Sequence, residues 1–519
     1  MKRLIVCTMS AARRIAAFAL RLLEPVLLAV LPPRSENAAR LNYARAQRHY
    51  IRLKLATSNP QRPHGLLASL ADETIRCLDL AVVGSPRLFF AHRLASSVHF
   101  MVGNAEGFLS RLVDFYAARD AYAKSRQFDR LGLRFIPPWP VMRTIGNTAV
   151  YEGLIKCRIL NQDDSRLMLV YDRRNAGSFV NPHLMSYWQD YMTIIDDPAT
   201  CRITDPIAAA LSEEDAGPFR LGDKILPTHS ALALANHQWE TEGRPPVFRL
   251  REEDRARGVA ALQNFGFNEH DWFVCLHVRE PSAKGNEPFR QAAIDDYIPA
   301  IKAVTDRGGW VVRLGIGGPP LPAMEHVLDY ANSAIRSDWM DVFLCGACRF
   351  FIGTSSGMYT VSHAFGRPVV QTNYLPTSTL YLGSDHLFLP KLARNKTTGN
   401  MLSFNDLMSA PFSIAANDAV LDEILDVTVI SNTAEEIREV VEEMIDQVDG
   451  RPDATGNEQD RHLQDRFKAL TAAAGTLVGL PGVPLNCRIG TAFLRRHQSL
   501  LPIDTTDPTS ETESQTTHA

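Results

Sequence analysis

A chain of 519 residues exceeds what one small core can organise, so roughly two or three domains are expected. Apolar residues make up 45% and charged residues 22%, which fits a globular chain and excludes a fibrous or wholly disordered one. The net charge of −3 argues against a dedicated nucleic-acid binder, so no nucleic-acid partner is expected.

The charge is unevenly spread. Residues 1–64 hold twelve Lys and Arg against only Glu24 and Glu36. Within them, 15–31 is the most apolar stretch, but Arg21, Glu24 and Pro25 interrupt it, and it is shorter than the ~20 residues a spanning helix needs. Lys2 and Arg3 suit a signal peptide, yet Pro32 and Pro33 follow where small cleavage-site residues belong. On a helical wheel Arg13, Arg14, Ala17, Arg21 and Glu24 share one side, and Ile15, Phe18, Leu22 and Val26 share the other. With Arg34, Arg40, Arg45, Arg48 and Arg52 downstream, the pattern describes an amphipathic helix on an anionic membrane surface, or equally a helix packed on the protein's own core.

Residues 65–130 carry periodic Ala-, Leu- and Arg-rich stretches that predict helices. Ile136-Pro-Pro-Trp-Pro140 breaks the pattern, and Arg143-Thr-Ile-Gly146 leads into a helix that carries Glu152. Short apolar runs at 167–171 and 192–195 predict strands, and 205–250 reads as a connecting region. From residue 251 the signal sharpens. Helices are expected at 251–264, 296–305, 338–345, 358–365 and 434–448, and strands at 272–278, 310–314, 349–352 and 368–372. Such alternation implies a mostly parallel, doubly wound sheet. Residues 450–460 are polar and turn-rich, and the last ~15 residues have the composition of a disordered tail.

In such sheets ligands bind beyond the carboxyl ends of the strands. The strand at 272–278 ends in His277 and Arg279, and an arginine can offer two phosphate oxygens a planar fork. Its alternative is a surface ion pair with Glu280 or another acid. The strand at 349–352 runs into Thr354-Ser355-Ser356-Gly357 at the start of a helix, where free N–H groups hold anions. The same residues also make an ordinary N-cap. Arg313 points either into the cleft or into a structural salt bridge. Leu314-Gly-Ile-Gly-Gly-Pro-Pro320 departs from a dinucleotide loop, because its prolines block a long helix and its third glycine is displaced. Asp338-Trp-Met-Asp341 has the spacing of a capping pair. The eight cysteines lack a disulfide framework spacing, which fits a reducing compartment, and Cys345-Gly-Ala-Cys348 lacks the second pair of a zinc ribbon. No cluster has metal-ligand spacing.

In order along the chain, His277-Val-Arg-Glu280, Asp338-Trp-Met-Asp341-Val-Phe-Leu344, Cys348-Arg-Phe-Phe-Ile-Gly-Thr-Ser-Ser-Gly357 and Phe365-Gly-Arg-Pro368 resemble a family of bacterial glycosyltransferases of surface polysaccharide synthesis. More distantly they resemble the α-1,6- and protein O-fucosyltransferases. The resemblance covers residues 251–393, and 140–200 more loosely through Arg143-Thr-Ile-Gly146 and Asn181-Pro-His-Leu184. It implies an α/β GT-B fold, two Rossmann-like domains facing across a cleft, with an added helical N-terminal region. The expected organisation is a basic N-terminal region at 1–64, an acceptor-side domain at 65–250 and a donor-side domain at 251–450, then an extension at 451–500 and a tail at 501–519.

The implied reaction moves a sugar from a nucleotide diphosphate, such as a GDP-sugar, to a polysaccharide or lipid-linked acceptor. It proceeds with inversion and without a cofactor or bound metal. The resemblance has Arg279 grip the diphosphate and His277 brace it, while Thr354, Ser355, Ser356 and Gly357 hold the remaining oxygens. Arg290 and Arg313 extend the cationic patch. Inversion needs a base, usually a carboxylate, and Glu152 and Glu280 are the candidates. The expected location is the cytoplasm, peripheral on the inner face of the cell membrane through residues 1–64. The same motifs are also compatible with a sugar-nucleotide epimerase or hydrolase, and with a non-catalytic scaffold of polysaccharide assembly.

Overall fold

The computed structural model describes residues 23–502 except 58, 60–62, 64, 86–87, 137–143, 172–178, 212–218, 269, 282–286, 416, 452–455 and 475–484. The chain divides into two compact units, Met1–Gln127 and Phe128–Ala519.

The first unit is built from helices: α1 (23–30), α2 (Glu36–Thr57), α3 (Leu66–Gly84), α4 (Phe90–Met101) and α5 (Ala105–Ser125). Small side chains let them approach closely, with Ala46 of α2, Cys77 and Leu78 of α3, and Ala91 and Ala95 of α4 sharing one core. Glu24 of α1 is buried and pairs with Arg48 of α2, while Leu23, Val26 and Val30 face outward. Among the described residues no helix is long and apolar enough to cross a membrane. One grouping of ligand types does form here among the described residues, unforeseen because His49 lies on α2 and the other two on α3: His49, Glu73 and Cys77 bring ligand atoms within 4.8 Å. Glu73 already pairs with Arg45 and Arg76, each at 2.8 Å.

The second unit is mixed α/β with parallel sheets. β1 (Leu133–Ile136), β2 (Arg166–Val170) and β3 (Thr193–Ile195) form a three-stranded parallel sheet, with α6 (Thr148–Leu160) and α7 (Pro182–Trp188) between its strands. α8 (Pro198–Leu211), the antiparallel pair β4 (Phe219–Leu221) and β5 (Lys224–Leu226), α9 (Thr228–Thr241) and α10 (Glu252–Gln263) follow. Next come β6 (Phe273–His277), α11 (Ile298–Thr305), β7 (Trp310–Arg313), β8 (Val327–Leu328), α12 (Asp338–Ala347), β9 (Phe351–Gly353), α13 (Met358–Ala364), β10 (Val369–Tyr374) and β11 (Leu387–Pro390). β12 (Leu392–Asn395) pairs antiparallel with β13 (Val427–Ile430), and α14 (Phe404–Met408), α15 (Ala434–Val448), α16 (Glu458–Ala474), β14 (Arg488–Ile489) and α17 (Thr491–Arg496) complete the unit. The large sheet has seven strands in the order β14-β11-β10-β9-β6-β7-β8, all paired in parallel.

Every residue of β10 is buried, as expected of a parallel strand covered on both faces. Thr433 and Glu436 close a capping box that starts α15. Its buried Ile437, Val440, Val441, Met444 and Ile445 form one stripe at helical spacing, packed against α11. Among the described residues, most of the buried apolar side chains of the unit join one core running from Ile136 to Leu501, which both parallel sheets share.

Several expectations change. The region 205–250 is more than a connection: α9 buries Ala231, Leu232, Ala235 and Trp239 against α6. Its small residues, interleaved with His229, Asn236 and His237, gave no clear apolar period. The helix expected at 296–305 starts at Ile298, after a single turn over Ile294–Tyr297, with Pro299 in its first turn. Asp338 and Asp341 do not form a capping pair; Ser337 is the N-cap, and Asp341 accepts the Tyr330 hydroxyl at 2.7 Å. Burial pushes the Asp341 carboxyl up to about 6. Cys345 and Cys348 are buried free thiols. Arg143, the prolines at 137–140 and the tail beyond 502 lie outside the described residues.

Candidate functional site

From β6 the chain builds outward through β7 and β8, then returns on the opposite side of β6 as β9. The carboxyl ends of β6 and β9 therefore flank the switch point where open α/β sheets bind ligands. His277 stands opposite Gly353 in the register. Glycine is required there, because a Cβ on Gly353 would lie 2.4 Å from the His277 carbonyl oxygen. Beyond the strands, the Thr354 N–H donates to the His277 carbonyl at 3.2 Å, and the Thr354 hydroxyl accepts the Arg279 N–H at 3.0 Å. The two strand ends singled out in the sequence are thus hydrogen-bonded neighbours.

The groups around them divide into engaged and available ones. Ser355 Oγ donates to the Leu375 carbonyl at 3.0 Å and accepts from Arg290 Nε at 3.2 Å. The Ser356 hydroxyl is buried with no partner. Among the described residues, no acceptor meets the backbone N–H of Ser355 or Gly357. α13 has only seven residues, so the capacity for an anion lies in these local groups more than in a helix dipole. Burial, reinforced by Arg279 and Arg313, pushes His277 down to about 4, so its ring is neutral near pH 7. Its Nδ1 has no partner outside its own residue.

The arginines differ sharply. Arg279 Nη2 and Arg290 Nη1 reach the same oxygen, Glu287 Oε2, at 2.6 and 2.8 Å. Arg290 also donates through Nε to the Ser355 carbonyl at 3.0 Å, which braces the 354–357 turn. Burial and the adjacent Arg290 lower Arg279 below the ordinary arginine range, with Glu287 opposing them. Arg313 is 3% exposed and holds Glu280 at 2.6 Å, the Pro319 carbonyl at 2.7 Å and Asp329 at 3.3 Å. It takes the structural salt-bridge role, and its partner Glu280 is engaged with it.

Gly146 brings the small-sheet side of the unit to this turn. A Cβ on Gly357 would lie 2.6 Å from Gly146 N and 2.9 Å from its Cα. Gly357 has φ −71°, so alanine there meets no backbone strain, only this collision. Gly357→Ala is expected to cost about 1–3 kcal/mol, read as a lower denaturant midpoint. An unchanged midpoint would mean that the two glycines do not touch in solution. Glu152 lies deeper. It is fully buried on α6, with its carboxylate 2.9 Å from His363 Nδ1 of α13 and 2.7 Å from Lys156 Nζ.

Sequence reasoning missed two residues of the site. Glu287 joins both arginines, and its spacing of three residues from Arg290 was the available signal. Lys391 follows the end of β11 just as His277 ends β6. Its buried ammonium donates to the Gln291 carbonyl at 2.7 Å, and burial, opposed by Asp418, pushes it down to about 8.

No protein-family model matches the chain, and no curated protein matches it. Among solved structures it is similar to the glycosyl transferase family 9 from Veillonella parvula DSM 2008, at 13% identity and a TM-score of 0.34 over 50% of this chain and 87% of that one. It is similar to the E. coli ADP-heptose lps heptosyltransferase II at 12% identity and a TM-score of 0.31, over 46% of this chain and 84% of that one. It is also similar to the iron-containing dodecameric glycosyltransferase TibC from enterotoxigenic E. coli H10407, at 14% identity and a TM-score of 0.27, over 46% of this chain and 57% of that one. Scores of this size establish neither a shared fold nor a shared activity.

Proposed function

We propose that this chain is a glycosyltransferase that binds a nucleotide-diphosphate sugar at the β6–β9 switch point. The observation that carries the reading is the joining of the His277 and Arg279 strand end to the Thr354–Gly357 turn, with an unpartnered hydroxyl and free backbone N–H groups between them. Departure of a nucleotide diphosphate develops negative charge, and fixed donors aimed at that charge are the main source of rate. In this reading Arg279 supplies the charge, Ser356 and the N–H groups of Ser355 and Gly357 supply hydrogen bonds, and neutral His277 adds a polar contact without further charge. Arg290 and Thr354 hold these groups in place.

The finer reading follows the resemblance. The donor is a GDP-sugar, the acceptor a polysaccharide or lipid-linked sugar, and transfer inverts the anomeric centre with arginines taking the charge that a metal neutralises elsewhere. The two parallel sheets are counterparts of the halves of a GT-B enzyme, with the acceptor on the side of the three-stranded sheet. Membrane contact runs through residues 1–64, where α1 turns Leu23, Val26 and Val30 outward. Glu152 and Glu280 serve as base only by leaving His363 and Lys156, or Arg313, respectively. Unchanged turnover in both Glu152→Gln and Glu280→Gln would remove them.

The test is a thermal-shift screen against GDP-, UDP-, dTDP- and CMP-sugars. A ligand at a hundred times its Kd stabilises the folded state by about 2.7 kcal/mol, so one nucleotide class should raise the melting temperature clearly. Absence of a rise with all of them would sink the donor-site reading.

A further inference from the structure

Glu287 occupies an unusual position for a carboxylate beside a proposed diphosphate site. One of its oxygens, Oε2, accepts from two guanidiniums at once, 2.6 Å from Arg279 and 2.8 Å from Arg290. A carboxylate oxygen and a phosphate oxygen make the same charge-assisted bonds to arginine, so this atom sits where a phosphate oxygen would sit. The three side chains are 33%, 25% and 37% exposed for Arg279, Arg290 and Glu287, so solvent and ligands reach the contact. The neighbouring pair Arg313–Glu280 is different, at 4% and 19% exposure, and is built in permanently. The two neighbouring cations also call for an anion: burial and Arg290 disfavour the Arg279 charge, and Glu287 opposes them.

We propose that Glu287 is a resident stand-in for the donor's phosphate, displaced from Arg279 when a diphosphate binds. The inference rests on the switch-point reading above and deepens it by naming what occupies the arginines before the donor arrives. A single carboxylate satisfies the two arginines in the free protein. A ligand must outcompete it, and a diphosphate, which presents more charge and more acceptor oxygens than a monophosphate, does so best. Glu287 therefore lowers the affinity for every anion at Arg279 by the free energy of its own displacement, so a strongly charged ligand such as a diphosphate is the one that still binds. Arg290 keeps its Ser355 contacts throughout, so displacement frees Arg279 without loosening the turn.

The experiment measures binding of inorganic pyrophosphate, orthophosphate and GDP, UDP and ADP by calorimetry to the full chain and to its Glu287→Gln and Arg279→Ala variants. Glutamine keeps the size but removes the charge, and an ion pair this exposed contributes little to folding, so the variant should fold. Glu287→Gln is expected to bind pyrophosphate and orthophosphate each up to about fivefold more tightly, because both displace the same contact. Arg279→Ala is expected to lose most of its affinity for pyrophosphate and the nucleoside diphosphates. If the parent binds a diphosphate and loses it in Arg279→Ala, but Glu287→Gln binds equally or more weakly, Glu287 merely positions the arginines. The stand-in inference then falls while the donor site stands. If neither the parent nor Glu287→Gln binds any of these probes, both fall together.

Discussion

Arg279→Ala is expected to weaken nucleotide-diphosphate binding by roughly 30-fold or more and so to remove most of the nucleotide-dependent rise in melting temperature. That factor corresponds to about 2 kcal/mol, the lower end of what is lost when one member of a charge-assisted pair is truncated. Stability should hardly change, because the Arg279–Glu287 pair is 33% and 37% exposed and pairs of that kind contribute less than about 1 kcal/mol. Arg279→Lys should fall between, since it keeps the charge but not the planar fork. The comparison with Arg313 gives the result its meaning. Arg313 is 3% exposed and its bonds run to Glu280, Asp329 and the Pro319 carbonyl. Its removal leaves the half-buried Glu280 and Asp329 without their counter-charge and should lower stability by about 1–3 kcal/mol, so a binding defect there is read against a loss of stability. Normal nucleotide affinity in a folded Arg279→Ala protein would refute the switch-point site.

His277, Arg279 and the 354–357 turn were legible in the sequence because each follows an unbroken apolar run, and a buried parallel strand has no other pattern. Their adjacency was not legible. It depends on β9 returning beside β6 rather than beside β8, a choice made by the packing of the whole sheet. The same limit explains Glu287, whose significance comes from two partners, one of them eight residues away. Arg313 and Glu280 were visible as residue types, yet whether they face ligand or each other is a matter of burial. The unforeseen strands β12 and β14 are short and carry Arg394 and Arg488 among few apolar residues, too little for a period to show. α9 was hidden by alanines and histidines, although it supplies Asn236 to a buried polar cluster of the unit.

That cluster yields the largest expected change in stability. Glu152 is 0% exposed, between His363 Nδ1 at 2.9 Å and Lys156 Nζ at 2.7 Å. Lys156 Nζ donates onward to Asn236 Oδ1 at 2.7 Å, and Asn236 Nδ2 donates to the Tyr381 carbonyl at 2.8 Å. The network joins α6, α9 and α13, so it fixes the helix that follows the 354–357 turn. Glu152→Ala leaves the buried Lys156 ammonium without its counter-charge and should cost about 3–5 kcal/mol. Burial alone would raise the Glu152 carboxyl, but His363 and Lys156 outweigh it and bring it from an ordinary 4.5 to about 2. A folded-state value below the unfolded one stabilises the protein above pH 4.5, and that contribution, of order 3 kcal/mol, is lost as pH falls from 4.5 to about 2. His386 acts in a higher window. Burial pushes it from 6.5 to about 4, as it does His277, so the unfolded chain takes up their protons first, and stability falls as pH drops from 6.5 towards 4, offset in part by Asp341, which burial raises to about 6. Denaturant midpoints measured from pH 7 to pH 2 should therefore decline in two stages, and Glu152→Gln should remove the lower stage while leaving the upper one. A Glu152→Gln protein with the parent's stability and acid profile but no turnover would show instead that Glu152 is the base and that the network does not hold the helices.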